Sequence, residues 1–335
     1  MQPSILVSES LNFSDAATNR LRSAGRVTLA DLDRPGLLSA VRDVDTLWVR
    51  LRHTIDSEVM DRAPRLRLIA TPTTGLNHID LDEAARRGIR VISLRGETAF
   101  LDRIHATAEH TLALTFALLR HVPAASRHVT EGGWNRDLFR GRELRGKTAG
   151  VVGYGRIGRM VAACLQALGM KVLATDPAVN RAAPGGPASE IEFVPLAALL
   201  ERADLVTLHV VFNEKTRAFF GASEFARMKP GAWFINTSRG ELVDEAALLQ
   251  SLVNGRISGA ALDVLSGENS SGMSAHPLVQ YARTHESLLI TPHVGGCTSE
   301  SMQATEEFLA EKVVAALASL AEEARVETSR TEAVR

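Results

Sequence analysis

A chain of 335 residues is long enough for two domains at the usual ~150 residues each, and its 45% hydrophobic and 23% charged content suits a globular protein with a core in each. Its 38 basic and 39 acidic residues leave a formal net charge of −1, which excludes bulk attraction to nucleic acid or an anionic membrane as the basis of function. Two cysteines, Cys164 and Cys297, are too few for a disulfide framework and fit a reducing compartment, and no run reaches the ~18 apolar residues of a membrane span.

The chain opens Met1-Gln2-Pro3-Ser4 and runs straight into Ile5-Leu6-Val7, with no basic n-region and no long apolar core, so no signal peptide and a cytoplasmic location are expected. Strands are predicted at 5–8, 27–30, 46–50, 66–71 and 89–93, with helices at 14–23, 37–41 and 82–87 between them. That alternation implies a parallel sheet. It holds no dinucleotide fingerprint and is not the expected cofactor domain. Residues 104–122 follow, a helix apolar nearly all round through Ala106, Ala108, Leu112, Leu114, Phe116 and Leu118. Such a helix is expected to be buried on both sides, to end at Pro123, and to cross from a first domain into a second.

A second alternation begins at Lys147, with strands predicted at 148–152, 172–175, 205–209, 232–236, 259–263 and 288–291. Pro195 suits a first helical turn, and Asp244 suits the cap of a helix at 245–252. Six strands with intervening helices make a doubly wound α/β fold. Pro184-Gly185-Gly186-Pro187 reads as a surface loop. Ser299-Glu300 opens a last amphipathic helix with Leu309, Val313, Leu317 and Leu320 on one face, expected to return to the first domain. Residues 322–335 are polar and expected to fray.

Within the second alternation, Gly153-Tyr154-Gly155-Arg156-Ile157-Gly158 sits between a strand and a helix, and the next strand stops at Asp176, 18 residues after Gly158. Gly153 suits a tight turn, Gly155 a close approach of backbone to a pyrophosphate, and Gly158 close packing of helix on strand. The helix N-terminus would face the phosphates with free N–H groups. Asp176 can accept from an adenosine ribose and repels a 2′-phosphate, so NAD is favoured over NADP.

Ligands of open parallel sheets bind outside the carboxyl ends of the strands. Arg239, Glu268 and His293 each follow a predicted strand and should share the edge that carries Gly153. A guanidinium can hold a carboxylate or carbonyl bidentately, an imidazole can take a hydroxyl proton, and a carboxylate can fix the imidazole tautomer. Each also has a plainer reading: a turn after a strand, a solvated loop acid, a cap.

Those motifs, with Gly146-Lys147-Thr148, Asn236-Thr237-Ser238-Arg239-Gly240, Ala261-Leu262-Asp263-Val264 and Thr291-Pro292-His293-Val294-Gly295-Gly296, closely resemble the D-isomer-specific 2-hydroxyacid dehydrogenases. Gly75-Leu76-Asn77-His78-Ile79-Asp80 and Ala108-Glu109-His110-Thr111 extend the resemblance over nearly the whole chain. It implies two Rossmann-like doubly wound domains, with a substrate domain of residues 1–104 and 294–335 split between the chain ends and an NAD domain of residues 105–293. It implies a homodimer formed largely through the nucleotide domain, and a catalytic set of Arg239, Glu268 and His293. By the same match Thr74, Arg156, Ile157, Asp176, His209, Thr237, Ser238, Asp263, Gly295 and Gly296 join the glycines at the NAD site, and Thr74-Gly75 sits where nicotinamide meets the substrate carboxylate. The chain departs from the family pattern at Leu265, at Asn269-Ser270-Ser271-Gly272 after Glu268, and at Thr71-Pro72-Thr73-Thr74.

Arg50-Leu51-Arg52-His53 follows a strand of the first domain and resembles the stretch by which D-3-phosphoglycerate dehydrogenases hold their substrate. Arg50 and Arg52 make a candidate phosphate or second-carboxylate site; a solvated basic turn is the alternative. Glyoxylate or hydroxypyruvate reduction, and a non-catalytic NAD-binding regulator, are the competing functions. A zinc alcohol dehydrogenase would need clustered Cys and His ligands, so no metal is expected.

Overall fold

The computed structural model describes residues 2–178, 191–268 and 272–333, in two compact units: residues up to 103 with 298 onward, and residues 104–297. The loop at Pro184–Pro187 lies outside the described residues.

The first unit alternates β1 (Ser4–Val7), α1 (Asp15–Arg22), β2 (Arg26–Leu29), α2 (Arg34–Ala40), β3 (Thr46–Trp48), α3 (Ser57–Arg62), β4 (Leu68–Ala70), α4 (Leu81–Arg86), β5 (Arg90–Ile92) and the short α5 (Thr98–Leu101). Ser14, Asp33, Asp56 and Asp80 cap the first four helices by accepting a backbone N–H in the first turn. The sheet is parallel throughout, in the order β2-β1-β3-β4-β5. Its order reverses between β1 and β3, so Ser8-Glu9 and Val49-Arg50 flank the switch point.

The second unit holds α6 (Ala106–Leu119), α7 (Val122–Thr130), β6 (Thr148–Val152), α8 (Arg156–Ala167), β7 (Lys171–Thr175), β8 (Ile191–Phe193), α9 (Leu196–Arg202), β9 (Leu205–Leu208), α10 (Ala222–Arg227), β10 (Ala232–Asn236), α11 (Glu245–Val253), β11 (Ile257–Leu262), α12 (Pro277–Ala282) and β12 (Leu288–Ile290). Its sheet is also parallel, in the order β12-β11-β10-β9-β6-β7-β8, and reverses between β6 and β9. Seven strands stand where six were expected, β8 being added at the edge. Val151, Leu205, Ile235 and Ala261 face α6 and α8 on one side, while Val206, Phe234, Ala260 and Leu262 face Leu199, Phe225 and Leu248 on the other.

Three expectations need correcting. Helix α6 is not buried on both sides: Glu109, Ala113 and Phe116 form an open face, with Phe116 40% exposed. It does not run on to Pro123: it ends at Leu119, His121 turns the chain in left-handed backbone, and Pro123 lies in the first turn of α7, where its missing N–H costs nothing. Chain beyond residue 322 does not fray at once, for α13 (Ser299–Ala333) continues through it. Alanine and glutamate favour helix there, and Arg90 holds Glu323 by two 2.7 Å contacts.

Candidate active site

The glycine-rich turn leaves β6 at the switch point. Gly153 has φ 92°, and a Cβ on it would lie 2.5 Å from the His209 carbonyl, so only glycine lets this turn pass the end of β9. A Cβ on Gly158 would lie 2.1 Å from the Gly153 carbonyl, while one on Gly155 would meet nothing within 4 Å. The turn is therefore closed on its inner side and open on its outer side, where α8 begins with Gly155 at its cap and no side chain on its first N–H groups. That cradle fits a dinucleotide pyrophosphate. Asp176 is tied into it: Oδ2 accepts from Tyr154 N at 2.8 Å and Oδ1 from Ala178 N at 2.8 Å. Each oxygen keeps a lone pair for a ribose hydroxyl. Arg156 and Ile157 open the helix, and Arg156 Nη1 donates to the Ile104 carbonyl at 3.0 Å. His209, just past β9, bonds Thr207 Oγ1 at 3.0 Å, and burial pushes its pKa down to about 3, so the ring is neutral.

Arg239 stands on a turn built by Asn236, whose side chain donates to the Arg239 carbonyl at 2.9 Å and accepts from Ser238 N at 2.9 Å. Ser238 Oγ donates to the Leu208 carbonyl at 2.8 Å, and Thr237 Oγ1 bonds Thr111 Oγ1 of α6 at 2.8 Å. A Cβ on Gly240 would lie 2.1 Å from Leu265 C and Ser266 N, so this turn is pressed against the loop that carries Glu268. Burial lowers the Arg239 pKa, opposed by the carboxylates of Glu268 and Glu241. Glu268 Oε2 accepts from Leu265 N at 3.3 Å, and Glu268 Oε1 bonds Nδ1 of His293. His293 adopts left-handed backbone, φ 54°, with its N–H shared between the Asp263 carbonyl at 2.8 Å and that of Thr291 at 3.0 Å. The structure thus brings Arg239, Glu268 and His293 together at one edge of the second unit.

Asp263, at the end of β11, holds the histidine loop from beneath. Its buried carboxylate accepts from Thr291 Oγ1 (2.6 Å), Val294 N (2.9 Å) and Gly295 N (2.7 Å), and His110 Nε2 lies 3.2 Å from Oδ1. A Cβ on Gly295 would approach Asp263 Oδ2 to 2.8 Å, which reserves that place for glycine; Gly296 has open space beside it. His110, which the sequence marks only as part of the Ala108–Thr111 resemblance and assigns no role, is a supporting residue. Glu245 is another: it accepts from Ser266 N at 2.8 Å and from His276 Nε2 at 3.1 Å, bracing the Glu268 loop. Neither pairing leaves a local signal, since their partners lie 153 and 21 residues away.

Arg50, Arg52, Thr74 and Gly75 all belong to the first unit. Thr73 Oγ1 donates to the Gly75 carbonyl at 2.8 Å and bonds Thr71 Oγ1 at 3.0 Å, so the threonines at this departure from the family pattern staple the loop. Arg50 bonds Glu306 of α13 and donates to the Leu11 carbonyl at 2.9 Å. Arg52 pairs with Asp31 at 2.9 Å and donates to the Leu32 carbonyl at 3.3 Å. The carboxylate of Glu9 accepts the backbone N–H groups of both arginines. Both guanidiniums are thus engaged within the protein. Among the described residues, no helix is long and apolar enough to cross a membrane.

A family model described as the NAD-binding domain of D-isomer-specific 2-hydroxyacid dehydrogenases matches residues 112–295, which makes the second unit the NAD-binding domain. The D-3-phosphoglycerate dehydrogenase of Mycobacterium tuberculosis is 40% identical over 288 residues, 85% of this chain and 52% of that protein. This chain therefore spans about half the length of that relative. The hydroxypyruvate reductase of Thermotoga maritima is 32% identical over 86% of this chain and 89% of its own length. A structure of D-lactate dehydrogenase from Aquifex aeolicus with NAD and lactic acid matches with a TM-score of 0.80 and 26% identity, over 95% of this chain and 96% of that one.

Proposed function

This chain belongs to the D-isomer-specific 2-hydroxyacid dehydrogenase family, and on that premise we propose that it is an NAD-dependent oxidoreductase interconverting a D-2-hydroxy acid and its 2-oxo acid. The observation that carries the reading is the His293–Glu268 pair beside Arg239, at the same sheet edge as the open glycine cradle.

NAD, when bound, supplies the hydride acceptor. Gly153, Gly155, Arg156, Ile157 and Gly158 hold its pyrophosphate, Asp176 its ribose, and His209, Thr237, Ser238, Asp263, Gly295 and Gly296 complete its site. Arg239 holds the substrate carboxylate or carbonyl through its planar donors. Glu268, accepting at Nδ1–H, fixes the tautomer in which Nε2 of His293 carries a lone pair. Nε2 takes the hydroxyl proton as the alcohol is oxidised, and Glu268 stabilises the imidazolium. In the reverse direction that imidazolium returns the proton to the carbonyl oxygen.

The substrate divides two readings. Relatives named D-3-phosphoglycerate dehydrogenase support 3-phosphoglycerate, for whose phosphate Arg50 and Arg52 of the first unit are the candidates. A short acid such as hydroxypyruvate or glyoxylate is supported by relatives named hydroxypyruvate reductase and glyoxylate reductase. NADH oxidation with a panel of 2-oxo acids tests the reaction class; no oxidation with any of them would overturn it.

A homodimer through the nucleotide unit completes the reading. Phe116 and Val122, with Val129 and Leu138, leave apolar surface on the stretch from α6 to residue 138, and Trp134 there is 90% exposed. Sedimentation of the purified chain would show a monomer if this surface has no such partner.

A further inference from the structure

The loop that carries Glu268 is held from three directions at Leu265 and Ser266, all within the second unit. Leu265 is buried and its N–H donates to Glu268 Oε2 at 3.3 Å, so the backbone here aims the carboxylate. The Arg239 turn presses on the same peptide, since a Cβ on Gly240 would lie 2.1 Å from Leu265 C and Ser266 N. The third hold comes from the start of α11. Oε1 of Glu245 accepts from Ser266 N at 2.8 Å, and Oε2 bonds Nε2 of His276, just before α12, at 3.1 Å. A carboxylate only accepts, so Nε2 is the donating nitrogen; Nδ1 of His276 is buried and finds no hydrogen-bond partner among the described residues. Ser266 and His276 bracket the stretch that contains Glu268, and one carboxylate pins both of its ends.

The plain reading of Glu245 is a first-turn acid that offsets the positive end of its helix. Asp244 already fills that place, capping α11 by accepting Ala246 N and Ala247 N at 3.1 Å each. Glu245 turns instead to a peptide 21 residues on. Its side chain is 18% exposed, and burial pushes its pKa up; Glu241 adds to the rise, while the Ser266 N–H and His276 oppose it. A carboxylate is thus kept where burial disfavours its charge, with one oxygen on each end of the Glu268 stretch. Glu268 in turn must keep Oε1 on Nδ1 of His293 for Nε2 to serve as acid and base.

We propose that Glu245 is a positioning residue for the reaction: by pinning Ser266 and His276 together it fixes the Glu268 loop and, through Glu268, the orientation of the His293 imidazole. The inference rests on the dehydrogenase reading above and adds to it a residue that acts only through Glu268.

Steady-state kinetics of the full chain with NADH and hydroxypyruvate, beside NADH binding read by fluorescence, tests it. Glu245→Ala is expected to lower kcat roughly tenfold or more with the NADH Kd within about threefold of wild type. Glu245→Gln, whose amide oxygen can still accept from Ser266 N, is expected to recover at least about threefold of that loss. Should Glu245→Ala fail to fold, and so fail to bind NADH, Glu245→Asp takes its place with the same loss expected: it keeps the charge beside His276 and is one methylene short of Ser266 N. A residue that acts through Glu268 has nothing left to do once that carboxylate is gone, so adding Glu245→Ala to Glu268→Ala should cost less than about threefold. A further loss of about tenfold in that background overturns the proposal, as does a Glu245→Ala kcat within about twofold of wild type.

A second readout needs no turnover: the downfield proton resonance of the His293 Nδ1–H bonded to Glu268, assigned by its absence from His293→Ala. It is expected to shift or disappear in Glu245→Ala and to persist in Glu245→Gln. If no 2-oxo acid is reduced but the resonance responds in this way, the reaction class falls and the positioning role stands. If hydroxypyruvate is reduced and the resonance is unchanged in Glu245→Ala, the positioning role falls and the reaction class stands.

Discussion

Nδ1 of His293 is bound to Oε1 of Glu268, and His293 reaches that carboxylate from left-handed backbone at φ 54°. For a residue with a Cβ this conformation is uncommon and costs of order 1–3 kcal/mol, so surrounding bonds must impose it. They are visible: the Asp263 and Thr291 carbonyls take the His293 N–H, and the Asp263 carboxylate takes those of Val294 and Gly295.

His293→Ala is expected to lower kcat by roughly 10²–10⁴ with NADH affinity little changed, the scale of losing general acid–base catalysis. Glu268→Gln should cost less, because it supports the imidazole and transfers no proton. Steady-state kinetics with NADH titration reads both, and wild-type turnover in His293→Ala would remove it from the mechanism.

Gly240→Ala is expected to damage chemistry without damaging cofactor binding. Its Cβ would need the space of Leu265 C and Ser266 N, 2.1 Å away, forcing the Arg239 turn and the Glu268 loop apart. Displacement of about 1 Å can cost about 10² in rate. A tenfold or greater fall in kcat with an NADH Kd within threefold of wild type is the expected outcome; a silent substitution would show the contact to be dispensable.

NAD(H) should be preferred over NADP(H) at least tenfold, about 1.4 kcal/mol, a modest demand on the Asp176 carboxylate. Asp176→Ala should erode this preference and also weaken NADH, since Asp176 accepts the Tyr154 N–H of the cradle. Equal turnover of both cofactors by the wild type would contradict the assignment.

His209 makes folding sensitive to acid. Its native pKa is about 3 against 6.5 for the free side chain, so between those values the unfolded chain binds a proton that the native ring refuses. Stability therefore rises with pH across that window and is lost as pH falls below 6.5. From pH 7 to pH 5 the loss attributable to this residue is about 2 kcal/mol. Urea unfolding at both pH values should show it in the wild type and show it reduced in His209→Gln; identical pH dependence in the two proteins would rule it out.

Legibility in the sequence followed the range of the interactions involved. Gly153, Gly155, Gly158 and Asp176 are read from a single strand–turn–helix–strand unit, and the geometry at each has a local cause. Most strands were readable to within two residues because a buried parallel strand is a short apolar run between turn signals. The edge strand β8, only three residues of mixed burial, carries too little pattern to be seen. The fate of Arg50 was illegible for another reason. Its partner Glu306 lies 256 residues away on a helix whose apolar periodicity marks Leu309 and Val313 and says nothing of a buried glutamate. Likewise α6 looked buried all round because Phe116 is as apolar as its neighbours, and composition does not reveal which face a helix leaves open.

Because α13 supplies Leu309, Ala310, Val313 and Leu317 to the same core as Ile5, Val7, Trp48 and Leu68, the five-stranded unit has a long wait during synthesis. Its strands leave the ribosome first, yet the layer that covers one face of them is translated only after the whole nucleotide unit. At about 5–20 residues per second, the nearly 200 intervening residues take on the order of 10–40 seconds. During that interval one apolar face of the early sheet lacks its cover, whereas the contiguous unit already has all its residues.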